Sequence, residues 1–145
     1  MSEVHSSSSV ANDTDEALAQ IERTNTRVNA MMAVCADEAR ASAAELERER
    51  EQGRWQGLLH GMPIAIKDNI ETAGLRTTSG SAFFADHVPN QDAPTVARLR
   101  SAGAVIVGKT MLHEFAFGIR SNNSVAGQCH NPWNLTRIPG GSSGG

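Results

Sequence analysis

Two short stretches hold residue types that can pass a proton between them. The first is MPIAIKDNI, where Lys67 follows an apolar run. The second is RIPGGSSGG, where Ser142 and Ser143 stand between two pairs of glycines. Most lysines at strand ends are simply solvated, and a Gly/Ser block is most often a linker or a frayed tail. Yet this block occurs once, directly after NPWNLTRIP, which is unlike a repeating linker. A lysine acts as a general base only when neutral. Desolvation beside an apolar strand, or a nearby cation, moves it toward that state. Flanking glycines would let a hydroxyl approach such an amine closely, since no Cβ stands in the way.

Other chemistry is excluded by spacing. HEFAF begins like a zinc-protease HExxH, but Phe117 stands where the second histidine must be. PGGSSGG is no phosphate-binding loop, since no lysine follows its glycines. His113, Cys129 and His130 lack metal-ligand spacing, so no metal is expected. Cys129 and His130 are adjacent, but catalytic thiol partners meet in space and not in sequence. Both cysteines read as buried, inert thiols.

Bulk properties narrow the class. The 145 residues suffice for one domain with a core, and 39% hydrophobic with 20% charged residues is ordinary for a soluble globular protein. A net charge of -3 and the absence of tyrosine argue against nucleic acid. Two cysteines make no disulfide framework and fit a reducing compartment. The polar N-terminus has no apolar signal region, and AVIV is far too short to span a bilayer. A cytoplasmic protein with neither nucleic acid nor membrane as partner is the expectation.

The elements that must carry Lys67 and the serines follow from pattern. Residues 1–12 are Ser-rich and polar and read as a disordered tail. Asp13 and Glu16 have capping-box spacing, which predicts a helix from Asp13. Its apolar face, Leu18, Ile21 and Val28, is interrupted by Asn25. AMMAVC fits either a strand or a helical turn. AAELEREREQ predicts a second helix over 36–52 that stops at Gly53, with Glu45–Arg48 and Glu47–Arg50 on a solvated face. MPIAIK and AVIVGK read as buried strands. Between them lies a helix opened by Pro94 and closed by Gly103. Strand, helix and strand with short joints make a βαβ unit with parallel strands, hence an α/β fold. MLHEFAF fits one or two helical turns, and 118–145 reads as a long loop of the kind that is either functional or disordered.

GLLHGMPIAIKDNI, GAVIVGKTMLHEFAFG and NPWNLTRIPGGSSGG, with TNTRVNAMMAV upstream, resemble the amidase signature family of serine amidohydrolases. The resemblance covers residues 13–145 and implies the N-terminal part of a single amidase domain with a mixed α/β/α sheet core. It implies a Ser–cis-Ser–Lys triad with Lys67 as base and Ser142 as the middle serine, preceded by a cis bond from Gly141. Ser143 becomes a supporting hydroxyl. The family's nucleophile lies in a downstream Gly-Gly-Ser block whose N–H groups form the oxyanion hole, beyond Gly145. A piece ending inside the signature is expected to be inactive by itself. The implied reaction is hydrolysis of a small-molecule carboxamide through an acyl-enzyme, without cofactor and with no substrate-binding residue assigned. The glutaminase subunit of the tRNA-dependent (Glu/Asp) amidotransferase is the alternative within the family. A non-catalytic binding module is the alternative outside it. A homodimer and a complex with amidotransferase subunits both stay open.

Overall fold

The structure, a computed structural model, describes residues 9–145. The first eight residues of the expected disordered tail lie outside the described residues. The last three are helical. Helix α1 spans Val10–Val28, because the Ser9 hydroxyl accepts from the Asn12 amide and caps the helix one turn before Asp13. Asp13 sits in the first turn, where its charge complements the helix dipole. Asn25, the break in the apolar face, has a task of its own. Its Oδ1 accepts from the Met31 amide at 2.8 Å and ties the helix to the strand after it. Asn29 closes the helix in the left-handed conformation, at φ 51°.

AMMAVC forms strand β1, Met31–Val34, and helix α2 follows at Ala36–Glu51. Strand β2 is Pro63–Lys67, α3 is Pro94–Ser101 with its proline in the first turn, and β3 is Val105–Thr110. Strands β2 and β3 are parallel, as the βαβ pattern predicts, and β1 joins β3 antiparallel, giving the order β1-β3-β2. The expected helical turns in MLHEFAF reduce to a single 3-10 turn, Glu114–Ala116, in which Phe115 and Ala116 take positive φ. The loop after Gly118 contains a small hairpin, β4 at Asn122–Asn123 and β5 at Gly127–Gln128.

Alternation along β3 builds three layers. Val105 and Val107 pack with Val10, Leu18, Ala39, Ala43 and Leu46 of the two long helices. Ile106 faces the other way, with Ile66 and Val96 of α3. The sheet therefore lies between α1 and α2 on one face and α3 on the other. Leu18 and Leu46 are almost fully buried, and each such side chain contributes about 1.5–3 kcal/mol by leaving water. The central strand is buried along nearly all its length. Strand β2 lies at an edge and buries only Ile66 fully, so it is less covered than its apolar run suggests.

One irregularity decides which face of the sheet Lys109 takes. Ile64 pairs with Ile106, but Ala65 pairs with Gly108, so β3 carries one extra residue. Gly108 has φ 156°, and a Cβ there would collide with the Ala33 carbonyl. After this bulge the side-chain alternation is reset. Lys109 then pairs with Ile66 and points to the α3 side, where unbroken alternation from Ile106 would turn it away.

Candidate active site

Lys67 ends β2, and Ser142 lies 75 residues later in the signature loop. The structure brings them together: Lys67 Nζ donates to Ser142 Oγ at 2.8 Å. The peptide bond between Gly141 and Ser142 is cis. Lys67 is half-buried at the strand end. The same contact can carry a proton in either direction. A protonated lysine donates to the serine oxygen, and a neutral lysine accepts from the serine hydroxyl.

The loop is anchored along its whole length. Ser121 Oγ donates to the Gly140 carbonyl at 2.7 Å. The His113 amide donates to the Ser142 carbonyl at 2.9 Å, and Ser143 forms a backbone bridge with Leu112. The Gly144 and Gly145 amides both donate to Met111 O, at 3.1 and 3.2 Å. The thiol of Cys129 donates to the Gly144 carbonyl at 3.3 Å. Three glycines have steric reasons to be glycine. A Cβ on Gly141 would stand 2.7 Å from the Ile119 carbonyl carbon, one on Gly144 would strike Ser121, and one on Gly145 would strike the Ala30 carbonyl. The block is thus a close-packed rim and not a flexible tail.

Cys129 is 1% exposed and burial raises its thiol pKa, so it is a neutral packed group. His130 is occupied structurally, its amide donating to the Val28 carbonyl and its Nδ1 lying 2.9 Å from the Leu135 carbonyl. His113 meets Ser142 through its backbone. Among the described residues no group of three His, Cys, Asp or Glu side chains gathers as a metal site. No helix among them is long and apolar enough to cross a membrane. Both cysteines are free and buried.

Sequence reading did not single out a second charged pair, which lies next to Lys67. Asp68 and Lys109 are 1% and 0% exposed, with Lys109 Nζ 4.0 Å from Asp68 Oδ1. Asp68 Oδ2 accepts from the Thr78 amide at 3.0 Å and from its hydroxyl at 2.5 Å. Lys109 Nζ donates to Ile70 O at 2.6 Å, Thr72 Oγ1 at 3.0 Å and Thr77 Oγ1 at 2.7 Å. Both threonine hydroxyls spend their own protons on the Ile70 and Leu75 carbonyls, so they can only accept from Lys109. Three acceptors therefore require three donated protons, and the amine is an ammonium. Burial lowers its pKa to about 8, with Asp68 opposing that shift, and burial raises the pKa of Asp68. The signal in the sequence was a charged residue two positions after the end of each apolar run, in IKD and VGK.

A cleft of about 1230 Å³ lies elsewhere. It runs along α1, with Ala36 and Arg40 of α2 opposite, and includes neither Lys67 nor Ser142.

A family profile, Amidase, matches residues 13–145. The chain belongs to the amidase family. It is 47% identical over 131 residues to the A-subunit of glutamyl-tRNA(Gln) amidotransferase from Anaeromyxobacter dehalogenans (strain 2CP-C), covering 90% of this chain and 27% of that protein. The corresponding protein of Geobacter sulfurreducens is 49% identical over 130 residues, with 88% and 26% covered. Among solved structures, the peptide amidase of Stenotrophomonas maltophilia superposes with a TM-score of 0.86 at 39% identity, over 94% of this chain and 29% of its own. The chain thus spans roughly a quarter of the length of the relatives it matches. The expected α/β fold is the amidase-family fold, in its N-terminal part.

Proposed function

We propose that residues 13–145 form the N-terminal portion of an amidase domain that hydrolyses a small-molecule carboxamide. One observation carries the reading: the 2.8 Å contact between Lys67 Nζ and Ser142 Oγ, built from two segments far apart in sequence. On this reading neutral Lys67 takes the proton of the Ser142 hydroxyl as Ser142 takes one from a nucleophilic serine. That serine attacks the amide carbonyl. The proton returns along the same path to the leaving amine, and water then cleaves the acyl-enzyme. Gly141 and Ser143 support the loop, and the nucleophile and oxyanion donors come from outside these residues. No step calls on a cofactor, and a cytoplasmic setting goes with the reading. The non-catalytic alternative leaves the lysine–serine contact without a purpose.

The alternative with a specific observation behind it is the glutaminase subunit of a tRNA-dependent amidotransferase. The relatives in Anaeromyxobacter and Geobacter both carry the name of an amidotransferase subunit. Under it the amide is glutamine and the partners are the other amidotransferase subunits; under the first reading a homodimer suffices. Ammonia release by the full-length gene product tests both, using glutamine beside simple aliphatic and aromatic amides. Turnover that survives Ser142→Ala and Lys67→Ala overturns the relay. Glutamine turnover that depends on added partner subunits selects the amidotransferase.

A further inference from the structure

We propose that the buried pair Asp68 and Lys109 is the positioning device of the site, fixing both members of the Lys67–Ser142 contact from the opposite face of the sheet. The inference rests on the relay reading and adds residues that never touch Ser142.

Two routes of hydrogen bonds leave the pair. The first holds Lys67. The Ile70 amide donates to the Lys67 carbonyl at 3.0 Å, closing a turn just after β2. Lys109 grips the same turn from below through the Ile70 carbonyl. Asp68, the next residue after Lys67, is held by two donors of Thr78 and by its own amide on the Thr110 carbonyl at 3.2 Å. The backbone that carries Lys67 therefore cannot rotate without breaking a buried charge-assisted bond. The second route reaches Ser142. The Asp68 carboxylate holds Thr78, and from the next residue a main-chain path continues: the Ser79 amide donates to the Asp68 carbonyl, and the Phe115 amide donates to the Ser79 carbonyl at 2.8 Å. Phe115 lies two residues from His113, whose amide holds the Ser142 carbonyl. Proton transfer across a single contact is steep in distance, so a frame that fixes both ends acts on rate more than on binding.

The bulge at Gly108 supports the assignment. A regular strand would carry Lys109 away from the face where Asp68, Thr72 and Thr77 meet it. The pair also sets the local field. Glu71 and Asp92 act at Lys109 in the same sense as Asp68, and Arg76 adds to Lys109 at Asp68.

The test uses the full-length gene product, ammonia release from a turned-over amide, and Lys67→Ala as control. Asp68→Asn keeps shape and removes the charge. The expected result is a folded protein whose kcat falls about 10²-fold. Its KM stays within about twofold, because the loss is in the chemical step. Lys109→Met, the second charge variant, lowers kcat in the same way with KM unchanged, whereas a general loosening of the fold raises KM as kcat falls. In a Lys67→Ala background, Asp68→Asn costs nothing further. A folded Asp68→Asn with wild-type kcat overturns the inference. If neither charge variant folds, Thr78→Val decides. It keeps both charges and removes one donor; a loss of about tenfold or more in kcat supports the frame, and wild-type kcat overturns it. Turnover that survives Lys67→Ala defeats the relay itself. Turnover lost in Lys67→Ala but kept in Asp68→Asn defeats the frame alone.

Discussion

Lys67 and Lys109 leave neighbouring strands at the same end of one sheet and sit one register position apart. Lys109 is wholly buried, and each of its three protons meets a fixed acceptor. Lys67 is half-buried and meets one hydroxyl. A saturated ammonium has no proton to give without losing a buried bond. A lysine with one hydroxyl partner can change charge and keep its contact. The same side chain thus serves as scaffold in one place and is suited to proton exchange in the other. What separates them is the number and kind of acceptors around the nitrogen.

The comparison breaks most clearly on rate. In the full-length gene product, Lys67→Ala and Ser142→Ala are each expected to lower amide turnover by about 10²–10⁴-fold, the worth of positioned proton transfer. The double variant should be little slower than either single one, because the two groups act as a unit. Steady-state kinetics on the three variants decides it, and strictly multiplicative losses would speak against a shared relay.

On stability the ranking reverses. Lys109→Met leaves Asp68 buried beside no counter-charge, and removing one partner of a buried ion pair costs about 3–5 kcal/mol. Lys67→Met removes a half-buried group with one side-chain partner and should cost about 1 kcal/mol or less. Urea denaturation of both variants measures the difference. Equal losses would mean that Lys67 is as much a scaffold group as Lys109.

Only one of the two lysines could be singled out from the sequence. Lys67 follows an apolar run at a strand exit, and Ser142 lies in a block whose composition sets it apart, so both follow from local pattern. The βαβ unit is equally local, marked by Pro94, Gly103 and two apolar runs. Lys109 required the bulge at Gly108, which depends on how β1 and β2 meet β3 across the sheet. Its acceptors come from a loop without periodicity, 70–78, whose path follows from tertiary contacts. Ser121 and Cys129 resemble ordinary loop residues until the signature loop is laid over them. Asp13 and Ser9 offer competing caps one turn apart, and burial of Val10 against the core favours Ser9, so α1 begins before Asp13.

The two lysines should also differ in how stability follows pH. Lys109 has its pKa lowered to about 8 in the folded chain from an ordinary 10.5, so between those values the unfolded chain binds more protons. Stability from this group therefore rises with pH across that window, by at most about 1.4 kcal/mol per pH unit. Below pH 8 both states are protonated and the contribution is flat. Denaturation midpoints measured from pH 7 to 10.5 should show the rise in the wild type and in Lys67→Met, and lose it in Lys109→Met. A rise that survives Lys109→Met would assign it to another group.

The smallest effect expected is that of Cys129→Ala, and it sharpens what counts as part of the relay. The thiol packs under the signature loop and donates to the Gly144 carbonyl at 3.3 Å. Sulfur is a weak donor, and alanine leaves only a small void, so the expected stability loss is about 1–2 kcal/mol. The Gly144 and Gly145 amides remain on Met111 O and the Ser121 hydroxyl remains on Gly140 O, so the loop keeps its path. Turnover should then change by less than about threefold, which is well under 1 kcal/mol of barrier. A thiol whose pKa is raised by burial is protonated near neutral pH and is a poor nucleophile, so no independent part in catalysis is expected of it. Paired kinetics on Cys129→Ala and Ser142→Ala make the decision. Abolished turnover in the first with intact turnover in the second would replace the serine relay by a thiol mechanism and leave the Lys67–Ser142 contact a structural one.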